Sequence, residues 1–219
     1  MSFRAVLFDL DGTLLDTLED LAVSMNTVLE RHGFATHGID AYKLFVGDGM
    51  ENLVRRSLPD DFRQDTETVV ACMTAMRAEY GRHWKDTTRP YPGIPDLLSR
   101  LAERDLALTI LSNKPHEFTQ MAVSELLSRW TFTLVWGERP GIPRKPDPTA
   151  AREMASLLRI PPQEFLYLGD THTDMRTATA AGMYGVGALW GFRNADELLT
   201  SGARAVVQKP VDLLAFLEP

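Results

Sequence analysis

The side chains that could do chemistry in this chain are concentrated in four short polar segments. These segments are Asp9-Leu10-Asp11-Gly12-Thr13, Ser112-Asn113-Lys114, Lys145-Pro146-Asp147-Pro148, and the stretch from Gly169-Asp170 to Asp174. Carboxylates that crowd together repel one another, and a bound hard cation relieves that repulsion. A few oxygen ligands completed by water are the usual surroundings of Mg2+. The acidic segments therefore predict a magnesium site, provided that the fold brings their aspartates together.

The remaining polar side chains suit an anion with several oxygens. Ser112 and Asn113 offer hydrogen-bond donors and Lys145 offers a positive charge, which together can hold a phosphoryl group. A carboxylate can also act as a nucleophile and form an aspartyl phosphate. Asp9 and Asp11 lie two residues apart, so one can attack phosphorus while the other serves as general acid and base.

Each of these residues has a simpler explanation when it is taken alone. An aspartate after a strand commonly caps a helix or forms a turn. Lys145 alone fits a solvated surface lysine, and Ser112-Asn113 alone fits a loop. The functional interpretation depends on the whole set, because the order, the residue types and the positions after apolar runs all agree.

The pattern of apolar runs predicts the elements that position these segments. Ala5–Phe8 reads as a buried strand, and five further strand-like runs alternate with helical sequence after residue 93. These runs are 106–111, 132–136, 165–168, 185–189 and 205–207. Alternating strands and helices predict an α/β fold with a Rossmann-like, doubly wound parallel sheet. The carboxyl ends of such strands form one rim, where ligands bind.

A helical section interrupts this pattern after the first strand. Apolar residues recur at helical spacing from Leu18 onward, and no convincing strand is found between residues 16 and 88. Thr17 followed by Asp20 resembles a capping box at the start of the first helix. We therefore predict a core of residues 1–15 and 89–219 and an inserted, all-helical cap of residues 16–88.

Composition narrows the class of protein. The 219 residues include 44% hydrophobic ones, as in ordinary globular proteins. Lys and Arg number 23 against 30 for Asp and Glu, and the resulting charge of -7 argues against nucleic-acid or anionic-membrane partners. A lone cysteine, Cys72, excludes an internal disulfide. With no signal-like segment at the N-terminus, we expect a cytoplasmic protein. We also expect either a monomer or a homodimer.

The four segments resemble the motifs of the haloacid dehalogenase superfamily. That family has Asp-x-Asp-Gly-Thr after its first strand, Ser or Thr after the second, Lys before a later helix, and Gly-Asp-x-x-x-Asp after the fourth. The matching residues here are Asp9 to Thr13, Ser112, Lys145, and Gly169 to Asp174. The inserted helical section also stands where the family carries its cap.

The resemblance implies a role for each matched residue. Asp9 would be the nucleophile, and Asp11 the acid that protonates the leaving alcohol and then activates water. Mg2+ would be bound by the side chains of Asp9 and Asp170 and by the backbone carbonyl of Asp11, with Asp174 supporting that site from outside it. The phosphate oxygens would be held by Ser112, the backbone of Asn113, and Lys145.

Two features indicate a branch of the superfamily. Expelling an alkoxide from phosphorus requires a proton donor and expelling a halide does not, so Asp11 favours a phosphatase over a dehalogenase. Val46-Gly47-Asp48-Gly49 with the trailing Arg56 resembles the cap of phosphoglycolate phosphatases. An arginine on the cap would suit a small substrate that carries a carboxylate. Arg56 is the predicted substrate-binding arginine, and the sequence does not decide whether Arg55, Arg56 or Arg193 makes the contact.

The sequence thus predicts a Mg2+-dependent phosphatase that hydrolyses a small phosphorylated metabolite through an aspartyl phosphate. The favoured substrate is 2-phosphoglycolate, converted to glycolate and phosphate. A sugar-phosphate phosphatase or a phosphomutase of the same superfamily is the alternative within enzymes. A protein that binds a phosphorylated ligand without catalysis is the alternative outside them.

Overall fold

A parallel β-sheet forms the centre of the core in the computed structural model, which describes residues 2–217. The sheet strands are β1 (Ala5–Phe8), β4 (Ala107–Pro115), β5 (Leu134–Glu138), β6 (Phe165–Gly169), β7 (Tyr184–Ala188) and β8 (Ala205–Val207). Their order across the sheet is β5-β4-β1-β6-β7-β8, and every neighbouring pair is parallel. Two short strands, β2 (Leu15–Asp16) and β3 (Arg89–Pro90), pair separately.

The helices follow the sheet strands in alternation, except for a run of helices after β1. They are α1 (Leu18–Arg31), α2 (Ile39–Phe45), α3 (Met50–Ser57), α4 (Thr66–His83), α5 (Ile94–Ala102), α6 (His116–Leu126), α7 (Thr149–Leu158), α8 (His172–Ala181) and α9 (Ala195–Thr200). Short 3-10 turns lie at Asp60–Phe62, Pro162–Glu164 and Pro210–Phe216. The predicted α/β fold with a doubly wound parallel sheet is confirmed.

Strand β1 occupies the middle of the sheet and is buried on both faces. All four of its side chains are fully inaccessible to solvent. Ala5 and Leu7 pack on one face with apolar side chains of α7 and α8, such as Met154 and Ala178. Burial on both faces is typical of parallel sheets covered by helices on each side. The chain reverses direction across the sheet at β1, so its carboxyl end is the topological switch point where ligands bind.

The chain divides into two compact units. One comprises Met1–Leu15 with Pro90–Pro219, and the other comprises Asp16–Arg89. The second unit contains α1 to α4 and, among the described residues, no strand longer than the ends of β2 and β3. A specificity role for this helical unit remains a prediction.

Within the helical unit, helices α1 and α4 are joined by a charged cluster. Glu79 of α4 is nearly buried and receives a hydrogen bond of 2.7 Å from Arg31 of α1. Arg82, one turn further along α4, also pairs with Glu79. The carboxylate of Glu79 therefore links the end of one helix to the side of another.

The start of α1 is built differently from the predicted capping box. The hydroxyl of Thr17 makes no capping bond and finds no hydrogen-bond partner among the residues that the structure describes. Asp20 instead accepts hydrogen bonds from the backbone amides and hydroxyls of Thr87 and Thr88, at 2.6 to 3.1 Å. A distant segment that offers four donors outcompetes the local cap.

The structure also corrects some of the predicted strand ends. Strand β4 continues through Ser112 and Asn113 to Pro115, although these polar residues read as a turn in the sequence. Its pairing with β5 is irregular between Leu111 and Pro115, so the polar segment stays extended while leaving the regular ladder. Strand β5 begins at Leu134, two residues later than predicted. Within residues 2–217, the structure holds no helix with the length and hydropathy of a membrane span.

Candidate active site

Three buried aspartates meet at the carboxyl ends of β1 and β6. Asp9 follows β1 directly, Asp170 follows β6, and Asp174 lies in the first turn of α8. Their carboxylates lie close enough that one oxygen of each is within 4.8 Å of the others. Asp9 continues the ladder beyond β1, because its amide donates to the Leu168 carbonyl at 3.0 Å. The strands thus deliver two of the three carboxylates by their register.

Lys145 lies between two of these carboxylates. Its Nζ is 2.9 Å from Asp9 Oδ1 and 2.7 Å from Asp174 Oδ1, and it also donates to the Leu111 carbonyl at 3.0 Å. The side chain of Lys145 is 2% exposed. A buried ammonium that bridges two buried carboxylates offsets part of their repulsion, because the local dielectric is low.

Burial sets the ionisation of this cluster. Loss of hydration, followed by the negative charge of Asp174, raises the pKa of Asp9 to about 7. Burial and the charges of Asp174 and Asp9 also raise the pKa of Asp170 well above its usual range. Burial acts to lower the pKa of Lys145, but the carboxylates of Asp174 and Asp9 outweigh it and raise that pKa. The lysine therefore stays charged, while the raised pKa values of Asp9 and Asp170 reflect the cost of placing three carboxylate charges together, a cost that a further cation would relieve.

The donor set fits a hard divalent cation. Asp170 Oδ1 accepts a hydrogen bond from the Thr13 hydroxyl at 2.9 Å, and its Oδ2 accepts one from the Phe192 amide at 2.8 Å. These bonds fix the orientation of the carboxylate while leaving each oxygen a second acceptor site. Oxygen ligands held in this way are those that Mg2+ prefers. Asp9, Asp170 and the carbonyl of Asp11 remain the proposed ligands.

Asp174 is more fully engaged than the other two aspartates. Its Oδ1 accepts from Lys145 and, at 3.3 Å, from the Tyr167 hydroxyl. Its Oδ2 accepts from the amide of Thr171 at 3.0 Å and from the hydroxyl of the same residue at 2.7 Å, which completes a capping box on α8. Both oxygens are thereby occupied by protein donors. This arrangement suits the supporting position outside the metal ligands that the family resemblance implies, which remains a prediction.

Gly12 allows the loop after β1 to pass close to Asp170. The backbone of Gly12 has a φ of +84°, and a Cβ at this position would overlap the Asp170 carboxylate and the Phe192 ring. Only glycine combines this conformation with the absence of a side chain. The glycine of the Asp-x-Asp-Gly-Thr motif is therefore required because the loop after β1 passes close to Asp170 and Phe192.

Ser112 and Asn113 lie at the end of β4 beside this cluster. The side-chain amide of Asn113 donates to the Lys145 carbonyl at 3.0 Å and accepts from the Lys145 amide at 2.9 Å. The Asn113 side chain thus fixes the backbone of the lysine. Ser112 is 4% exposed, and its Oγ accepts from the Lys114 amide at 3.2 Å. Their role as phosphate ligands stays a proposal.

Two residues of this region make contacts that the sequence does not predict. Lys114 Nζ lies 3.0 and 3.2 Å from the two carboxylate oxygens of Asp11. Tyr167 points its hydroxyl from β6 to Asp174. A tyrosine in the otherwise apolar run Phe165–Leu168, and a lysine at the end of a strand, were the available signals. Neither is specific, because strands commonly carry tyrosine and surface loops commonly carry lysine.

The three arginines considered as substrate contacts all have partners within the protein. Arg56 pairs with Asp48 and donates to the Phe45 carbonyl at 3.2 Å, so its guanidinium fixes the segment that contains Gly47 and Gly49. Arg55 donates to Glu51 at 2.9 Å. Arg193 is buried and donates to Glu197 at 3.1 Å. A substrate carboxylate at Arg56 would have to share the arginine with Asp48.

Curated relatives of this chain are bacterial phosphatases. Phosphoglycolate phosphatase 1 of Pseudomonas aeruginosa is 30% identical over 217 residues, which cover 96% of this chain and 78% of the relative. Phosphoglycolate phosphatase of Aquifex aeolicus is 29% identical, with 98% and 97% of the two chains covered. The similarity therefore extends over both the core and the helical unit.

Solved structures show the same fold. A structure from Lactobacillus delbrueckii subsp. bulgaricus superimposes with a TM-score of 0.91 at 30% identity and covers 99% of both chains. A haloacid dehalogenase-like hydrolase from Streptococcus pneumoniae gives a TM-score of 0.88 at 23% identity, again with 99% of each chain covered. At that identity the second match supports the fold alone.

A family profile provides the assignment itself. The profile of haloacid dehalogenase-like hydrolases matches residues 6–188, which include β1 and the strands that follow it up to β7. The predicted resemblance to phosphoglycolate phosphatases and the predicted class of enzyme, a phosphoric monoester hydrolase, are confirmed. This chain belongs to the family of haloacid dehalogenase-like hydrolases.

Proposed function

We propose that the chain is a Mg2+-dependent phosphatase that hydrolyses 2-phosphoglycolate through an aspartyl phosphate on Asp9. The observation that supports this most strongly is the arrangement around Asp9, whose carboxylate is held by Lys145 at 2.9 Å beside the buried carboxylate of Asp170. Asp11 follows two residues later. Nucleophile, counter-charge, cation ligand and acid thus share one rim.

The reaction proceeds in two displacements on phosphorus. An Asp9 carboxylate oxygen attacks phosphorus, the bond from phosphorus to the ester oxygen breaks, and Asp11 donates a proton to the departing alcohol. A water molecule then attacks the aspartyl phosphate, Asp11 takes its proton, and inorganic phosphate leaves with Asp9 regenerated. A cation held by Asp9, Asp170 and the carbonyl of Asp11 would supply positive charge that offsets the negative charge of the phosphoryl oxygens. Lys145 holds Asp9 in place during both displacements.

The substrate assignment draws on the relatives. Two proteins similar over nearly the whole of this chain are phosphoglycolate phosphatases. The substrate 2-phosphoglycolate carries a phosphate and a carboxylate, and we assign the carboxylate to Arg56 of the helical unit. Arg56 is paired with Asp48 in the structure, so binding would exchange the carboxylate of Asp48 for that of the substrate.

The function is tested by phosphate release from a panel of phosphorylated metabolites, with Mg2+ and with a chelator. The panel contains 2-phosphoglycolate, several sugar phosphates and p-nitrophenyl phosphate. We expect the highest kcat/KM for 2-phosphoglycolate and loss of turnover with the chelator. A higher kcat/KM for a sugar phosphate would overturn 2-phosphoglycolate as the substrate. The absence of turnover on every compound would overturn the assignment as an enzyme.

The role of Arg56 is tested in the same assay. Arg56→Ala should raise KM for 2-phosphoglycolate by about 10-fold or more and leave KM for p-nitrophenyl phosphate nearly unchanged. Only 2-phosphoglycolate has a carboxylate, so only this substrate loses a charged hydrogen bond when the arginine is removed. Arg55→Ala is the matched control on the adjacent residue. An equal rise for both substrates would assign Arg56 to the loop that it holds through Asp48 and remove it from substrate binding.

A further inference from the structure

Asp11 is paired with a lysine that the proposed reaction does not yet use. The Nζ of Lys114 lies 3.0 Å from Asp11 Oδ1 and 3.2 Å from Asp11 Oδ2, so both oxygens share one ammonium group. The side chain of Lys114 is 3% exposed and that of Asp11 is 13% exposed. This pair is separate from the one between Lys145 and Asp9.

The main chain at Lys114 is fixed on both sides. Its amide donates to Ser112 Oγ at 3.2 Å, and its carbonyl accepts from the Thr119 hydroxyl at 3.2 Å. Gly137 of β5 approaches so closely that an added Cβ would overlap this carbonyl. The end of β4 therefore has little freedom to move, and the lysine side chain starts from a fixed point.

Stability gives a weak reason for burying such a pair. Removing a lysine and an aspartate from water costs several kcal/mol per ion, and their attraction recovers that cost only with good geometry. A buried ion pair is better explained by the orientation that it imposes. An ammonium group centred on both oxygens restricts the rotation of the Asp11 carboxylate about its side-chain bonds.

We propose that Lys114 is a positioning residue that orients Asp11 for its proton transfers, an inference that rests on the proposed function. Asp11 has to meet the ester oxygen in the first displacement and the attacking water in the second. Proton transfer depends on alignment within hydrogen-bond distance, so a fixed Asp11 side chain serves both steps, as a carboxylic acid in the first and as a carboxylate in the second. Lys114 exchanges no proton itself and acts through Asp11 alone.

The leaving group distinguishes this role from a general structural one. An alkoxide such as that of glycolate needs a proton as it departs, whereas p-nitrophenolate is stable without one. Loss of an oriented acid therefore harms the alkyl ester selectively. The ratio kcat/KM isolates this step, because it reports only events up to the release of the alcohol.

The test compares kcat/KM of Lys114→Met on 2-phosphoglycolate and p-nitrophenyl phosphate, with Mg2+ present. We expect a fall of about 10- to 100-fold on the alkyl ester, part of the roughly 100- to 10,000-fold that acid-base catalysis supplies, and a fall of less than about 3-fold on the aryl ester. Lys209→Met, at an exposed lysine of the same unit, should match the wild type on both. Equal losses on the two esters, or a loss on 2-phosphoglycolate confined to KM, would overturn the proposal.

Two further variants keep the test decisive if Lys114→Met folds poorly. Lys114→Arg retains a charge that can reach both oxygens and should recover most of the activity on the alkyl ester. In an Asp11→Asn background, Lys114→Met should cause little additional loss, since a residue that acts only through Asp11 has nothing left to orient. Independent, additive losses would contradict the proposal.

The wild-type arm separates this inference from the proposed function. A wild type that hydrolyses neither ester would overturn both proposals. An active wild type with an unselective Lys114→Met would overturn the positioning role alone and leave the phosphatase assignment intact.

Discussion

The charged residues of the rim carry most of the proposed chemistry, and the balance of charge among them depends on Lys145. It contacts Asp9 and Asp174 while remaining 2% exposed. The aspartates could be predicted from residue type and from their positions after apolar runs, and this lysine from its position just before a predicted helix. The contacts of Lys114 and Tyr167 could not, because a single lysine or tyrosine carries no local signature of its partner.

Replacement of Lys145 by Met should impair both activity and stability. The variant leaves Asp9 and Asp174 buried beside each other without their shared cation, and breaking a buried pair costs roughly 3–5 kcal/mol. Turnover should fall below detection, because Asp9 is no longer held. Urea unfolding at neutral pH measures the loss of stability.

Lys209→Met is the control for this prediction, since that lysine is exposed in the same unit. It should lose less than about 0.5 kcal/mol, as surface substitutions usually do. A Lys145→Met variant as stable as this control would show that the cluster does not depend on the lysine.

At the scale of elements, apolar periodicity predicted the strands and helices but misplaced some of their ends. The end of β4 reads as a turn because Ser112 and Asn113 are polar, yet these residues stay extended beside the site. The start of α1 reads as a capping box, yet Asp20 binds Thr87 and Thr88. In both places a contact distant in sequence replaces the local preference, and a local pattern contains no record of it.

The link between α1 and α4 predicts a pH-dependent contribution to stability. Burial acts to raise the pKa of Glu79, but hydrogen bonds from Arg31 and Arg82 outweigh it and lower that pKa. A carboxylate with a lowered pKa stabilises the folded state above its unfolded pKa, about 4.3. That stabilisation is lost as the pH falls through the lower, folded pKa.

Glu79→Gln should therefore destabilise the chain at neutral pH and have little effect in acid. We expect a loss of about 1 kcal/mol, because both arginines are more than half exposed and the pairs are screened by solvent. In acid, once the pH is below the lowered, folded pKa of Glu79, the loss should approach zero. Urea unfolding at the two pH values measures it, with Glu67→Gln on the same helix as control. A loss of equal size at both pH values would contradict the assignment.

At the scale of the whole molecule, part of the acidic excess behind the net charge of -7 is concentrated at the candidate site. Three of the carboxylates form one buried cluster, and two of them, Asp9 and Asp170, have raised pKa values. The sequence predicted that these segments share a rim because parallel strands end on one side of a sheet. The order of the strands, with β1 between β4 and β6, depends on packing of the whole core and was not predicted.

Magnesium should stabilise the folded protein. A ligand that binds only the folded state adds about 2.7 kcal/mol at 100 times its Kd. The midpoint of thermal unfolding should therefore rise as Mg2+ is added. The rise should be larger than the one that NaCl causes at the same ionic strength. Asp170→Asn should remove the effect and Asp105→Asn, at an exposed aspartate, should keep it. An equal shift in both variants would contradict a site at Asp170.

The most direct test of the central claim is the rate of phosphate release from 2-phosphoglycolate by the wild type and by Asp9→Asn, each with saturating Mg2+. The substitution keeps the size of the side chain and removes the attacking oxygen anion, so a folded Asp9→Asn should release no phosphate above background. Asp105→Asn should match the wild type. Turnover by a folded Asp9→Asn at a rate near that of the wild type would contradict the aspartyl-phosphate mechanism.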